Sequence, residues 1–318
     1  MYRILSFDGG GILGVLSISL IKSLEDAQPG FLEKVDLFAG TSTGGILALG
    51  LAAGLSPMQC CELYELRGQF VFSRTLLHDL QGNVVGAKYS NQNLKQELER
   101  QFGDMTLGDL PKRVLITSVD LDNQPANPFA LRTWKPKFFH NYPGPGSDAH
   151  ERVVDVALRT SAAPTYFPLY QGFTDGGVVA NNPTMCAVAQ ALHPGTGRQK
   201  LDDLIALSLG TGRNPRFLTD QNSNWGLIQW ARPLIDLLLL EGTLTVVDYQ
   251  CQQILGGSYH RLNPLLPEPI DLDDVGKVSR LKEIAAQAQP ELGATLNWLT
   301  PIRDEHDRTS AFRGWFVD

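Results

Sequence analysis

Residues 35–53 read VDLFAGTSTGGILALGLAA, and the fold is decided by how this stretch changes character at its centre. Val35 to Ala39 is a short apolar strand, Gly40-Thr41-Ser42-Thr43-Gly44 is too small and glycine-rich to extend it, and Gly45 to Ala53 is a small-residue helix closed by Gly54. A strand that passes into a helix through Gly-x-Ser-x-Gly lifts the serine hydroxyl above the sheet edge, because side chains at the flanking glycines would collide with the turn. The helix then aims unpaired N–H groups and its positive dipole end at the same place. Ser42 is therefore a candidate nucleophile, and Gly40 and Gly44 are the residues that make its turn sterically accessible.

The preceding unit has the same plan. Tyr2 to Phe7 reads as a buried strand running into Asp8-Gly9-Gly10-Gly11, and Ile12, Leu13, Leu16, Leu20 and Leu24 space out a helix ending near Pro29-Gly30. Downstream, Ser56-Pro57 opens a helix through Leu66, Asn91 to Phe102 and Glu151 to Ala162 are further helices, and Arg113 to Val119 is a strand. Pro125 to Pro145 carries five prolines and reads as irregular, with one or two edge strands. Tyr170 to Thr174 is briefly extended, Pro183 to Leu192 helical, and Leu204 to Leu209 another buried strand. After Asn224 the expected elements are mainly helical: Trp225 to Leu240, Thr245 to Leu255 and Val278 to Ala288. Alternating strands and helices predict an α/β fold, a mostly parallel sheet with helices on both faces, in one domain spanning 1–318.

With 43% hydrophobic residues among 318, the chain can bury a substantial core. Its net charge of -7 and lack of a Lys/Arg run argue against broad nucleic-acid binding. Cys60, Cys61, Cys186 and Cys251 have no metal-type spacing and read as reduced thiols; no metal or cofactor is expected. The start MYRILSFDGGG is not a secretory leader, so the expected location is cytoplasmic, with peripheral contact at a membrane. The apolar run through Leu234 to Leu240 is too short to span a bilayer and reads as core, subunit contact or a lid.

Two further turns carry chemistry. Asp8-Gly9-Gly10-Gly11, with Gly14 one turn on, lets backbone N–H groups approach an anion with no Cβ in the way. No Lys-Ser/Thr follows the glycines, so an oxyanion fits this loop better than a nucleotide phosphate. Asp175-Gly176-Gly177 puts a carboxylate at a strand end between residues that permit close approach, where it could take a proton from Ser42 and return it to a leaving alkoxide. A histidine would normally complete such a set, and His150 and His260 are the nearest candidates. The residues themselves leave Ser-His-Asp and Ser-Asp open.

Asp8-Gly9-Gly10-Gly11-x-x-Gly14, Gly40-Thr41-Ser42-Thr43-Gly44-Gly45, Arg159 to Phe167 and Asp175-Gly176-Gly177 occur in an order and spacing that resembles the patatin-like phospholipase family. Asn181-Asn182-Pro183 and Ser208 to Gly212 resemble further family segments. The resemblance implies a three-layer patatin-like fold and a dyad without histidine: Ser42 as nucleophile, Asp175 as base, and Gly9, Gly10 and Gly11 lining the oxyanion hole. It implies acyl-ester hydrolysis on phospholipid or another acyl lipid, with acyl transfer, or an effector switched on by a nucleotide activator, as the alternatives. Asp8, Gly14, Gly40, Gly44, Gly176 and Gly177 are supporting residues, and Arg159 is expected to form a structural salt bridge. Val71 to Gly86 and Pro125 to Pro145 are candidate channel rims, and Thr133 to Phe139, which interleaves two lysines with aromatics, suits headgroup or nucleotide contact. A homo-oligomer is compatible with all of this.

Overall fold

The structure is a computed structural model that describes residues 1–72, 86–124, 129–144, 146–217, 224–226, 229–230 and 244–300. In chain order its first half comprises β1 (Tyr2–Phe7), α1 (Gly14–Ala27), β2 (Leu37–Thr41), α2 (Thr43–Ala52), α3 (Pro57–Val71), α4 (Gln92–Phe102), β3 (Arg113–Asp120), β4 (Lys135–His140) and α5 (Val153–Thr160). There follow β5 (Phe173–Asp175), α6 (Gly177–Ala180), α7 (Thr184–Leu192), β6 (Leu204–Leu209), α8 (Leu244–Leu255), β7 (Tyr259–Leu262), α9 (Val278–Gln287) and α10 (Gln289–Leu299).

The strands form one sheet in the order β4-β3-β2-β1-β6-β7, parallel except for β4, with β5 also pairing antiparallel to β3. Strands buried on both faces need continuous apolar sequence, and every residue of β2 and of β6 is buried. Their period of two sorts side chains between two cores. Leu5, Phe7, Phe38, Ile116 and Leu207 pack with Leu16, Leu20 and Leu47 on one face, whereas Ile4, Leu37, Ala39, Leu115 and Ala206 pack with Val188, Ala191 and Cys251 on the other. Helix–sheet–helix layering follows, as expected of an α/β chain. β4 closes one edge with Lys135, Pro136 and Lys137, residues that discourage pairing with another strand.

Several boundaries differ from the sequence reading, each for a local reason. β2 runs to Thr41 and α2 begins at Thr43, so the turn between them is the single residue Ser42 rather than a pentapeptide. α3 starts at the expected cap, where the Ser56 Oγ accepts from the Gln59 N–H and the Gln59 Oε1 accepts from the Ser56 N–H, but it continues to Val71. β7 interrupts the region read as mainly helical; four residues with both outer positions buried leave little periodicity to detect. α10 adds a helix beyond Ala288, opened by Pro290 near its first turn. Most of the apolar segment 225–240, and residues 73–85 of the first candidate rim, lie outside the described residues.

Candidate active site

The site is assembled by strand register. β3 pairs with β4 along Leu115 to Asp120 on one side, while its other side is shared: Thr41 of β2 lies opposite Thr117, and Asp175 of β5 lies opposite Ser118. Two strands of opposite direction thus occupy one lane and run toward each other, so Ser42 and Asp175 emerge at their meeting ends despite being far apart in sequence. Ser42 and Asp175 line the same cleft, and interaction with the Ser42 hydroxyl holds the Asp175 carboxyl lower than burial alone would set it. The Gly177 N–H donates to Asp175 Oδ1 at 2.7 Å.

Ser42 has φ 54 and ψ -124, a backbone conformation that side-chain-bearing residues rarely adopt. Its surroundings explain how it is held. The Ser42 N–H donates to Thr160 Oγ1 at 2.8 Å, and its carbonyl accepts from the Ile46 N–H at 3.1 Å. A Cβ on Gly40 would stand 2.5 Å from the Gly44 carbonyl carbon, and one on Gly44 would stand 2.5 Å from the Asp8 carbonyl oxygen. Both obstacles are backbone and cannot swing aside. Gly40→Ala is expected to cost about 1–3 kcal/mol, the usual range for overpacking, in a urea unfolding comparison.

Asp175 is 2% exposed. Burial, opposed by the bonds from Ser42 and Gly177, pushes its carboxyl up to about 7. A carboxylate that holds its proton near neutrality is suited to accepting one from an alcohol and giving it back. Gly176 allows the approach, since a Cβ there would lie 2.5 Å from the Thr117 carbonyl oxygen.

The glycine loop divides its labour. The Gly9 N–H donates to the Asn181 carbonyl at 3.1 Å, so Gly9 supplies room rather than a donor: a Cβ there would press on the Asn181 side chain and come within 3.2 Å of Ser42 Cβ. Among the described residues the N–H groups of Gly10 and Gly11 have no backbone or side-chain acceptor, and both residues line the cleft containing Ser42 and Asp175. Gly11 has φ 56, and the next N–H, that of Ile12, donates to the Leu272 carbonyl at 2.8 Å. Gly14 lets α1 approach α2, a Cβ there standing 2.5 Å from Thr43 Oγ1.

Asp8 lies beneath this loop, fully buried, and Arg261 of β7 donates to it at 2.5 Å and to Ser208 Oγ at 2.7 Å. Burial works against the Arg261 charge, but its attraction and hydrogen bonds to Asp8 hold the guanidinium above its ordinary range. Arg159 pairs with Glu151 at 2.9 Å, donates to Gln171 Oε1 at 2.6 Å and 3.0 Å, and lies over the Phe173 ring at 4.8 Å, bracing β5. His150 is an exposed side chain beside Glu151, and His260 bonds Thr295 at 2.9 Å and stacks on Trp298. Neither lines the cleft. Thr160 and Arg261 were not assigned roles from sequence; each acts on a residue more than a hundred positions away.

The cleft has a cavity volume of about 110 Å³ and opens to solvent at its mouth. Away from the polar end its walls are apolar, with Ile46, Leu63 and Val71 on one stretch and Leu94, Leu98 and Phe167 on another. An apolar cavity ending at an alcohol, a carboxylate and backbone donors suits a substrate that is mostly hydrocarbon with one ester.

Architecture and cleft together place the chain among hydrolases built on a three-layer α/β scaffold. More narrowly, it belongs to the patatin-like phospholipase family, which matches residues 5–188. It is a patatin-like hydrolase acting on lipid. A cGAMP-activated phospholipase of Pseudomonas aeruginosa is 32% identical over 310 residues, covering 92% of this chain and 84% of that protein. Protein teg of Priestia megaterium is 31% identical over 296 residues, covering 84% and 88%. The 85/88 kDa calcium-independent phospholipase A2 of Mus musculus is 31% identical over 308 residues, covering 86% of this chain but 37% of its own length. Among the described residues no helix is long and apolar enough to cross a membrane.

Proposed function

We propose that the chain cleaves acyl esters of phospholipid through a Ser42–Asp175 dyad and an acyl-enzyme. The observation that carries this reading is the Ser42 hydroxyl sharing one apolar cleft with a buried, interacting carboxylate, beside two unspent backbone donors. Asp175 accepts the Ser42 proton as Oγ bonds to the ester carbonyl carbon, and the oxyanion accepts from the N–H groups of Gly10 and Gly11 at the positive end of α2. Collapse breaks the acyl–oxygen bond, and the Asp175 proton passes to the departing alkoxide, releasing lysolipid. Water then attacks the acyl carbonyl with Asp175 again as base, freeing fatty acid and restoring Ser42.

Because the base must be ionised and burial pushes Asp175 up to about 7, turnover has a signature in pH. On a water-soluble ester, kcat/KM is expected to rise about tenfold per pH unit below 7 and flatten above it. A profile flat from pH 5 to 8 would remove Asp175 from the role.

Nucleotide control is the second element of the proposal. It is supported by the similarity to a cGAMP-activated phospholipase over 92% of this chain. The test is mass-spectrometric profiling of fatty acid and lysolipid released from a mixed phospholipid extract, with and without cyclic GMP–AMP. Release only with the nucleotide supports a switched effector; equal release in both arms leaves an unregulated hydrolase, and release in neither from folded protein rejects the substrate assignment.

A further inference from the structure

β3 ends at Asp120 at the same edge of the sheet as Ser42, and the chain returns into β4 at Lys135, directly opposite Asp120. Residues 121–124 and 129–134 therefore lie beyond the catalytic end of the sheet. Its base is built rather than loose. The Asn123 N–H donates to the Thr133 carbonyl at 3.1 Å, the Thr133 N–H donates to Asn123 Oδ1 at 3.0 Å, and Arg132 Nε donates to Asp122 Oδ1 at 2.5 Å. Above this polar base, Phe129 is 96% exposed, Leu131 80% and Trp134 77%. Scattered single apolar residues on a surface need no explanation, but three large ones within six positions of a braced projection do.

We infer that the tip at Phe129, Leu131 and Trp134 inserts into the surface of a phospholipid bilayer and seats the cleft against it; the inference rests on the lipid substrate proposed above. Two observations select a bilayer over a protein partner. The first is continuity with the cleft. Tyr166 and Phe167 line its wall, Leu169 is exposed two residues on, and the Gly172 carbonyl accepts from the Leu121 N–H at the hairpin base. The hairpin base is thus tied directly to the segment that carries the cleft wall, so a bilayer that holds the tip lies at the cleft's side. The second is composition: an exposed tryptophan beside an exposed lysine, Lys135, is the pairing that settles at the boundary of hydrocarbon and headgroup. The Asp122 charge is met by Arg132, so no uncompensated carboxylate at that position opposes approach.

Co-sedimentation of the full chain with vesicles of phosphatidylethanolamine and phosphatidylglycerol tests the inference. The triple variant Phe129→Ser, Leu131→Ser, Trp134→Ser is expected to bind at least about tenfold more weakly. Its kcat/KM on a dispersed short-chain ester should stay within about twofold of the parent, since none of the three side chains reaches the dyad. Parent binding should persist in about 0.5 M salt, where charge attraction is screened. Ser42→Ala should bind vesicles like the parent, so docking is read without turnover and failure of the catalytic reading leaves it measurable. Undiminished sedimentation of the triple variant overturns the inference. So does loss of ester turnover in step with binding, or a parent oligomer that the triple variant splits without any vesicle binding, which would make the tip a contact between copies.

Discussion

Asp175→Asn is expected to give a protein that is inactive yet more stable than the parent at pH 8. The carboxyl, 2% exposed, is pushed up to about 7 from an ordinary value of 3.8. Between those two pH values the folded chain holds a proton that the unfolded chain has released, so parent stability falls as pH rises through the window and levels off above 7. Three units correspond to at most about 4 kcal/mol. Asparagine is neutral throughout and keeps an oxygen for the Gly177 N–H, so the variant should escape that loss. Urea unfolding at pH 8 should therefore favour the variant by a few kcal/mol, and the gap should close toward pH 4. Turnover should fall by roughly 10³-fold or more, because the amide cannot take the serine proton. Equal stability at pH 8 would mean that the carboxylate is better solvated than its burial implies.

Ser42→Ala carries the largest kinetic effect. Without the hydroxyl no acyl-enzyme forms, and turnover should drop by about 10⁵-fold or more while substrate binding in the apolar cleft survives. Labelling by a fluorophosphonate should vanish in the same variant. A companion substitution separates chemistry from backbone strain: Ser42→Gly removes the same oxygen but is at ease at φ 54. It is expected to be more stable than Ser42→Ala by about 1 kcal/mol, although equally inactive. If alanine were the more stable of the two, the turn would not be the strained element its angles indicate.

The turns were legible because their chemistry is local. Gly40, Ser42 and Gly44, the run Asp8 to Gly11, and Asp175 with its two glycines each declare a tight bend within a few residues, and hydrophobic patterning supplied β1, α1, β3 and β6 around them. What binds the turns together was not legible. That Thr160 receives the Ser42 N–H, or that Arg261 reaches Asp8, depends on contacts across 118 and 253 positions with no signature at either end. The Gly9 N–H illustrates the same limit. Sequence grouped it with Gly10 and Gly11, but only the placement of the Asn181 carbonyl decides which of the three is already engaged. β7 escaped because four residues are too few for a periodic signal, and it is β7 that delivers Arg261.

The shared lane on β3 also bears on when, on the proposed dyad, activity can first arise during synthesis. During synthesis Ser42 leaves the ribosome more than a hundred residues before Asp175, and their shared lane requires both β2 and β5 to be paired with β3. On the proposed dyad, a polypeptide ending before Phe173 carries the alcohol without its base, so hydrolysis waits for β5 to pair with β3.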